Sequence, residues 1–322
     1  MGKTGTKHGA EMSQEDKPRH ISVELAGGLG NQLFTYVAGI YIAHKLGSMA
    51  RIFLHESLAK NPAKRRGIAA FKGVSEVDPG PNSTHATSPK SVRWRGLISS
   101  WLQRIGLSRL ASQRITSFYQ SSVIGEDADI CSIGNGFFIR GYFQTRKYYQ
   151  EISDTLLNGA FELKEPSSWF NQLKLDSIQS SPVVVHVRRG DYLNEQNSFI
   201  GALSPDYFLE AISILRQDPE MQDREIWIFS NDIPFVKGEL EAKLDGSVRW
   251  IEPPPQSPEA ESLLLLGSGS ALVMSNSTFS WWAATLGKPS RVIAPSKWFK
   301  AAEDPANLLM PDWYQLESRW IQ

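Results

Sequence analysis

The chain has one cysteine, Cys131, among 322 residues. A single thiol excludes a disulfide within the chain and a thiolate metal cluster. Cys131 sits between Ile130 and Ser132 with no histidine beside it, and it reads as a small structural hydrophobe rather than a nucleophile. Long apolar runs are also missing. No stretch reaches the roughly eighteen residues that a spanning helix requires. The opening segment, MGKTGTKHGAEMSQEDKPRH, lacks the apolar centre of a signal peptide. The expectation is a soluble cytoplasmic protein with a disordered head over residues 1–19. Net charge is zero, from 34 basic and 34 acidic side chains. That balance gives no electrostatic footing for nucleic acid. Histidine and cysteine do not cluster and no Asp-x-Asp pair stands in the setting of a metal site, so no obligatory metal and no cofactor are expected.

What the chain does have is an alternation of short apolar runs with helical segments. Ile21–Leu25 reads as a strand, followed by Gly27, Gly28 and Gly30 and a helix over Gln32–Leu46. Arg51–Leu54 is a second strand, and Phe137–Tyr142 a third. Tyr148–Phe161 and Trp169–Ile178 read as helices on either side of Lys164-Glu165-Pro166, a plausible domain boundary. Five more strands follow: Val183–Val187, Ile226–Phe229, Val248–Ile251, Ala271–Met274 and Arg291–Ala294. Between them lie helices over Pro205–Leu215 (capped by Ser204), Pro234–Leu244, Pro258–Leu266 and Phe279–Leu286. Alternation of this kind predicts right-handed βαβ units and parallel sheets. The region Ser57–Ser121 is mixed and carries no motif. Its segment Trp94–Leu110 is a basic amphipathic helix, which either packs its apolar side on the domain or makes peripheral membrane contact.

The most informative stretch is Val183–Tyr192, VVVHVRRGDY. A β-branched strand delivers a histidine, two arginines and an aspartate at its carboxyl end, where open α/β sheets bind ligands. Arginine's planar fork suits phosphate oxygens. The competing reading is an ion pair between Asp191 and either arginine, closing off the strand. Successive side chains on a strand point to opposite faces, so the pattern turns one arginine toward the ligand rather than both.

Two further segments combine with this one: Val23–Phe34, containing GGLGNQ, and Ser275–Ala284, SNSTFSWWAA. Together, in this order and spacing, they resemble the bacterial α-1,2-fucosyltransferases of glycosyltransferase family 11. The likeness runs from about His20 to the region of Phe299 and is weak over Ser57–Ser121. The HxRR element alone is shared with α-1,6- and protein O-fucosyltransferases. In one place the chain departs from the family. Near the start of the helix before NSTFSWW the family usually has an aspartate; here Ser262 follows Glu261, which shifts that aspartate's task to Glu259 or Glu261.

The resemblance implies an α/β, GT-B-type fold with two Rossmann-like domains facing across a cleft. An acceptor-side domain would span 20–165 and a GDP-fucose-binding domain 166–322. It implies an inverting transfer of L-fucose from GDP-β-L-fucose, a co-substrate, to the 2-hydroxyl of a terminal galactoside on an oligosaccharide or glycolipid, in surface-glycan or O-antigen synthesis. A fucosyltransferase of another linkage and a non-catalytic nucleotide- or glycan-binding protein stay open beside it.

Arg188 is then the cation aimed at the β-phosphate as the leaving group departs. Arg189 either shares that task or turns into the sheet to hold Asp191. His186 contacts the nucleotide. Asn276, Ser277, Thr278 and Phe279 meet the pyrophosphate at a helix N-terminus, or Ser277 and Thr278 simply cap that helix. Asp232 accepts the guanine N–H groups or caps the next helix. Gly28, Gly30, Asn31 and Gln32 face the acceptor, Asn31 having helix capping as its alternative role. The base for the acceptor hydroxyl is Asp191 or Glu195, or the proton passes late to the leaving phosphate. Trp281 and Trp282 read as packing rather than sugar-stacking residues.

Overall fold

The computed structural model describes residues 20–54, 67–74, 118–132 and 138–321. The expected disordered head, the Trp94–Leu110 helix and most of Ser57–Ser121 lie outside these. The first half builds a four-stranded sheet from β1 (His20–Leu25), β2 (Met49–Leu54), β3 (Phe118–Gln120) and β4 (Phe138–Arg140), in the order β2-β1-β4-β3. Its two longest helices among the described residues are α1 (Leu29–Lys45) and α2 (Arg146–Leu156).

The second half opens with α3 (Ser168–Ser180) and holds six strands: β5 (Val183–Val187), β6 (Ile226–Ser230), β7 (Val248–Ile251), β8 (Ala271–Val273), β9 (Arg291–Pro295) and β10 (Tyr314–Leu316). Their order is β10-β9-β8-β5-β6-β7. Between them run α4 (Pro205–Arg216), α5 (Ile233–Leu240), α6 (Glu259–Leu266) and α7 (Thr278–Gly287). Every strand pair is parallel. This is the two-domain GT-B arrangement, with a cleft where the carboxyl ends of both sheets meet.

Several boundaries differ from expectation for local reasons. α1 starts at Leu29, because Gly27 takes φ +78° and Gly28 is extended, so the chain turns at once from strand to helix. Gly30 and Asn31 therefore fall inside the first turn, and Gly28 rather than Asn31 holds the cap position. α2 stops at Leu156 rather than Phe161, and Gly159 follows with φ +69°. α5 ends at Leu240, short of Leu244, and passes into one 3₁₀ turn over Glu241–Lys243. Ser204 occupies the cap position of α4 without a side-chain bond; its backbone N–H donates to the Arg319 carbonyl at 2.7 Å.

One hydrophobic core runs through both halves. Phe34 of α1 lies 4.5 Å from Trp281 and 5.1 Å from Trp282 of α7, ring to ring. Tyr149 and Phe161 close on Trp282 at 5.5 and 5.7 Å. Both tryptophans are fully buried, so they pack. Each such ring pair contributes about 0.5–1.5 kcal/mol beyond its buried area. The C-terminal segment also crosses back to the first half: the Arg146 N–H donates to Asn307 O at 2.9 Å, and Arg146 Nη1 to Leu309 O at 2.7 Å. A second cluster covers the far face of the six-stranded sheet beneath α4 and α5. Cys131 is half-buried against the first core, and burial raises its thiol pKa.

Candidate active site

A cleft of about 650 Å³ lies between the two sheets, walled by residues of both halves. A second, open depression of about 790 Å³ sits beside Ser180, Glu225 and Ser270, at the amino ends of β5, β6 and β8. Parallel sheets gather ligands at their carboxyl ends, so the chemistry belongs to the first.

The alternation of β5 decides which side chains reach the cleft. Val183, Val185 and Val187 point into the far-face cluster, and Val184 into the shared core. His186 and Arg188 continue the Val184 side and line the cleft. Arg189 continues the Val187 side. Its guanidinium stacks on Phe235, 3.5 Å from the ring centre, and Nη1 bonds Asp232 Oδ2 at 2.6 Å. Neither Arg189 nor Asp232 lines the cleft. Asp232 Oδ2 is thus engaged by Arg189, and the side chain makes no cap to α5.

Asp191 is held by Arg188, not Arg189. After β5 a 3₁₀ turn over Gly190–Leu193 folds residue 191 back over residue 188. Arg188 Nε meets Asp191 Oδ1 and Nη2 meets Oδ2, both at 2.9 Å. Asn231 Nδ2 adds a contact to Oδ1 at 3.4 Å, and Asn197 Nδ2 donates to the Asp191 carbonyl at 2.8 Å. Both carboxylate oxygens are therefore occupied by the guanidinium. The fork uses one edge of Arg188 and leaves Nη1 with no protein partner among the described residues. Glu195, the other candidate base, is exposed and does not line the cleft.

His186 is buried, with Nδ1 hydrogen-bonded to Ser280 and, at 3.0 Å, to Ser275. Burial, and then the neighbouring Arg188 charge, push its pKa down to about 3, so it is a neutral imidazole. Asn276 is buried as well. Its Nδ2 bonds the carbonyls of Ile200, Gly201 and Trp298 at 3.0–3.2 Å, which makes it a brace for the cleft wall. Ser277 caps α7, accepting from the Phe279 N–H at 3.3 Å. Thr278 and Phe279 open the helix, whose positive end faces the cleft.

On the opposite wall, Gly28, Gly30 and Asn31 line the cleft. Gln32 does not; it is fully buried, and its Nε2 bonds Gly27 O at 3.0 Å, pinning the glycine turn from beneath. Glu259 and Glu261 part company too. Glu261 is buried and accepts from the Ser167 N–H at 2.7 Å and the Ser167 hydroxyl at 2.8 Å, tying α6 to the start of α3. Glu259 and Ser262 face the cleft. Asp127-Ala128-Asp129 has the Asp-x-Asp spacing, but Asp127 is consumed by Tyr119 and Ser121, both at 2.7 Å.

Tyr142, Gln144 and Phe199, which no motif marks, also line the cleft. Tyr142 and Gln144 follow directly on β4, and that position just beyond a parallel strand was the available signal.

Two parallel-sheet halves around a cleft, with an arginine and a helix N-terminus on one wall, form the site of a GT-B-type glycosyltransferase. The family model for glycosyl transferase family 11 matches residues 20–317, and the chain belongs to that family. An α-1,2-colitosyltransferase of Escherichia coli is 26% identical over 88% of this chain and 93% of its own. The O-antigen biosynthesis glycosyltransferase WbnK of Escherichia coli is 24% identical over 91% of this chain and 99% of its own. Among solved structures, the fucosyltransferase NodZ from Bradyrhizobium is similar at a TM-score of 0.47 and 12% identity, covering 87% of this chain and 95% of its own. No helix among the described residues is long and apolar enough to cross a membrane.

Proposed function

We propose that this glycosyltransferase moves L-fucose from GDP-β-L-fucose to the 2-hydroxyl of a terminal galactoside, with inversion, in the building of a surface glycan such as an O-antigen. The carrying observation is Arg188: fixed by Asp191 along one edge, free at Nη1, and lining the same cleft as the N-terminus of α7. When the bond from the anomeric carbon to the β-phosphate oxygen breaks, its electron pair leaves with GDP. A guanidinium held in place and a helix N-terminus stabilise that charge more in the transition state than in the ground state. The same two groups offset the diphosphate charge, so the reaction needs no obligatory metal. His186, neutral and anchored by two serines, holds the α7 turn in register and presents an uncharged edge to the nucleotide.

Asp191 acts by orienting Arg188. The acceptor oxygen attacks the anomeric carbon, and its proton passes to the departing phosphate. Glu259 takes the place of the aspartate usual on this helix, with Ser262 beside it.

One relative is named for colitose, a 6-deoxy sugar like fucose, and this favours GDP-colitose as the second reading of the donor. The test is GDP release from the full chain with each donor, with lactose or N-acetyllactosamine as acceptor, in EDTA, alongside Arg188→Ala. Acceptor-dependent release from GDP-fucose, lost in Arg188→Ala, is the expected result. Release from GDP-colitose alone moves the donor to the second reading. GDP binding without release on a wide glycan panel sinks the enzymatic reading.

A further inference from the structure

The geometry points to Tyr142 as the platform for the acceptor sugar ring, with Asn31 as its hydrogen-bond donor and Gln144 as the residue that holds Asn31; this rests on the galactoside transfer proposed above. β4 ends at Arg140, and the next residues are Gly141-Tyr142-Phe143-Gln144. Gly141 admits no side chain, because a Cβ there would stand 2.6 Å from the Phe143 ring. Phe143 takes φ +51°, a left-handed conformation that strains a non-glycine residue. That turn sends the Phe143 ring into the core, fully buried against Tyr148, and leaves its two neighbours on the cleft wall. Strain of this kind persists where surrounding structure enforces it, and it concentrates at ligand sites.

The outcome is a large aromatic ring that is 50% exposed on the wall of a concave cleft. An unliganded tyrosine gains little from standing there. A galactopyranoside carries an apolar patch of C–H groups on one face, and an aromatic ring is the side chain that covers such a patch while tolerating hydroxyls around it. Tyr142 lies on the first-half wall, whereas Arg188 and α7 lie on the second-half wall. The diphosphate and the acceptor thus fall on opposite sides of the anomeric carbon, as inversion requires.

Beside Tyr142, Gln144 is 6% exposed and donates from Nε2 to Asn31 Oδ1 at 3.1 Å. The backbone N–H of Gln144 is itself fixed to Ile124 O at 2.7 Å. Asn31 is therefore held by its carbonyl oxygen, and its Nδ2 has no protein partner among the described residues. A sugar hydroxyl accepts from such an amide, and an amide already held loses little freedom on binding. Hence the Asn31 side chain recognises the ligand rather than capping α1, whose cap is Gly28.

Tyr142→Ala and Tyr142→Phe in the full chain test this. Tyr142 is half-exposed, so both variants fold. Steady-state rates are measured against donor and acceptor separately. Saturation-transfer NMR follows methyl β-galactoside on GDP-loaded protein. Tyr142→Ala is expected to raise the acceptor KM roughly tenfold and to abolish the galactoside signal, with the donor KM and GDP affinity within twofold of wild type. Tyr142→Phe, which keeps the ring, retains both. An unchanged acceptor KM in Tyr142→Ala overturns the assignment. So does a loss seen in Phe199→Ala instead, which moves the platform to the other wall. Absence of any galactoside signal on wild-type protein that still binds GDP refutes this seat while leaving the donor reading standing. Absence of GDP binding by the wild-type protein refutes the donor reading itself.

Discussion

Gly30 and Thr278 touch backbone to backbone across the two halves of the molecule. A Cβ on Gly30 would stand 2.5 Å from the Thr278 carbonyl carbon and 2.6 Å from the Phe279 nitrogen. The first turn of α1 is thereby seated against the first turn of α7, the helix end proposed to receive the diphosphate.

Gly30→Ala tests that contact, because two effects oppose each other. Helix propensity alone favours alanine by about 1 kcal/mol at a helical position. The clash with backbone atoms cannot be relieved by a side-chain rotation, and overpacking of this kind costs about 1–3 kcal/mol. The expected outcome is a lower melting temperature together with weaker GDP binding. A stabilised protein with normal activity would mean that the two helices part freely.

The aromatic bridge predicts how the protein unfolds. Trp282 is completely buried between Phe34, Tyr149 and Phe161 of the first half. Trp282→Ala is expected to destabilise by roughly 3–5 kcal/mol. Because the core is continuous across the halves, calorimetry should show one cooperative transition in wild type and variant alike. Two resolved transitions in wild type would show that the halves fold independently.

The strands legible in the sequence include central ones buried on both faces and two longer edge strands, Met49–Leu54 and Val248–Ile251, which still carry apolar residues. Val183–Val187, Ile226–Ser230 and Ala271–Val273 are short apolar runs because no side of them meets water. Phe118–Gln120 and Tyr314–Leu316 are three-residue edge strands with polar members, and no periodicity marks them. Within the site, Arg188 stood out because a strand end is a fixed address. The partner of Asp191 did not, since it depends on a 3₁₀ turn that carries residue 191 back over residue 188. The difference between Glu259 and Glu261 is one of helix phase: two residues along α6 turn one carboxylate to the cleft and the other to Ser167. The ion pair between Arg189 and Asp232 was not legible either, since it depends on the β5 alternation that turns Arg189 away from the cleft.

Asp191 as an orienting group, rather than a base, has a kinetic signature. Arg188→Ala should lower kcat by roughly two to three orders of magnitude. Asp191→Asn removes the charge-assisted fork but leaves Arg188 present, so a smaller loss of about tenfold to a hundredfold in kcat/KM is expected. The two substitutions should be far from additive when combined, because they disturb one unit. The pH dependence separates the roles. A general base would give kcat/KM an acid limb that Asp191→Asn abolishes. The expected result is a profile of unchanged shape and reduced height.

His186 couples this site to stability. Its native pKa is pushed down to about 3 from 6.5, by burial and then by Arg188. In the unfolded chain the imidazole takes up a proton below about pH 6.5; in the native protein it does not until near pH 3. Between those values the unfolded state binds more protons, so stability falls as pH falls, by up to about 1.4 kcal/mol per pH unit from this one group. Above pH 6.5 the contribution is complete and flat. Carboxylates titrate in the lower part of the same window, so the comparison that isolates the histidine is His186→Asn, an uncharged side chain able to bond Ser275 and Ser280. Urea unfolding at pH 7.5 and pH 5.5 should show wild type losing more stability between the two than the variant loses. Equal losses would mean that His186 is protonated in the native protein, and an imidazolium beside Arg188 would then add its own charge to the diphosphate site.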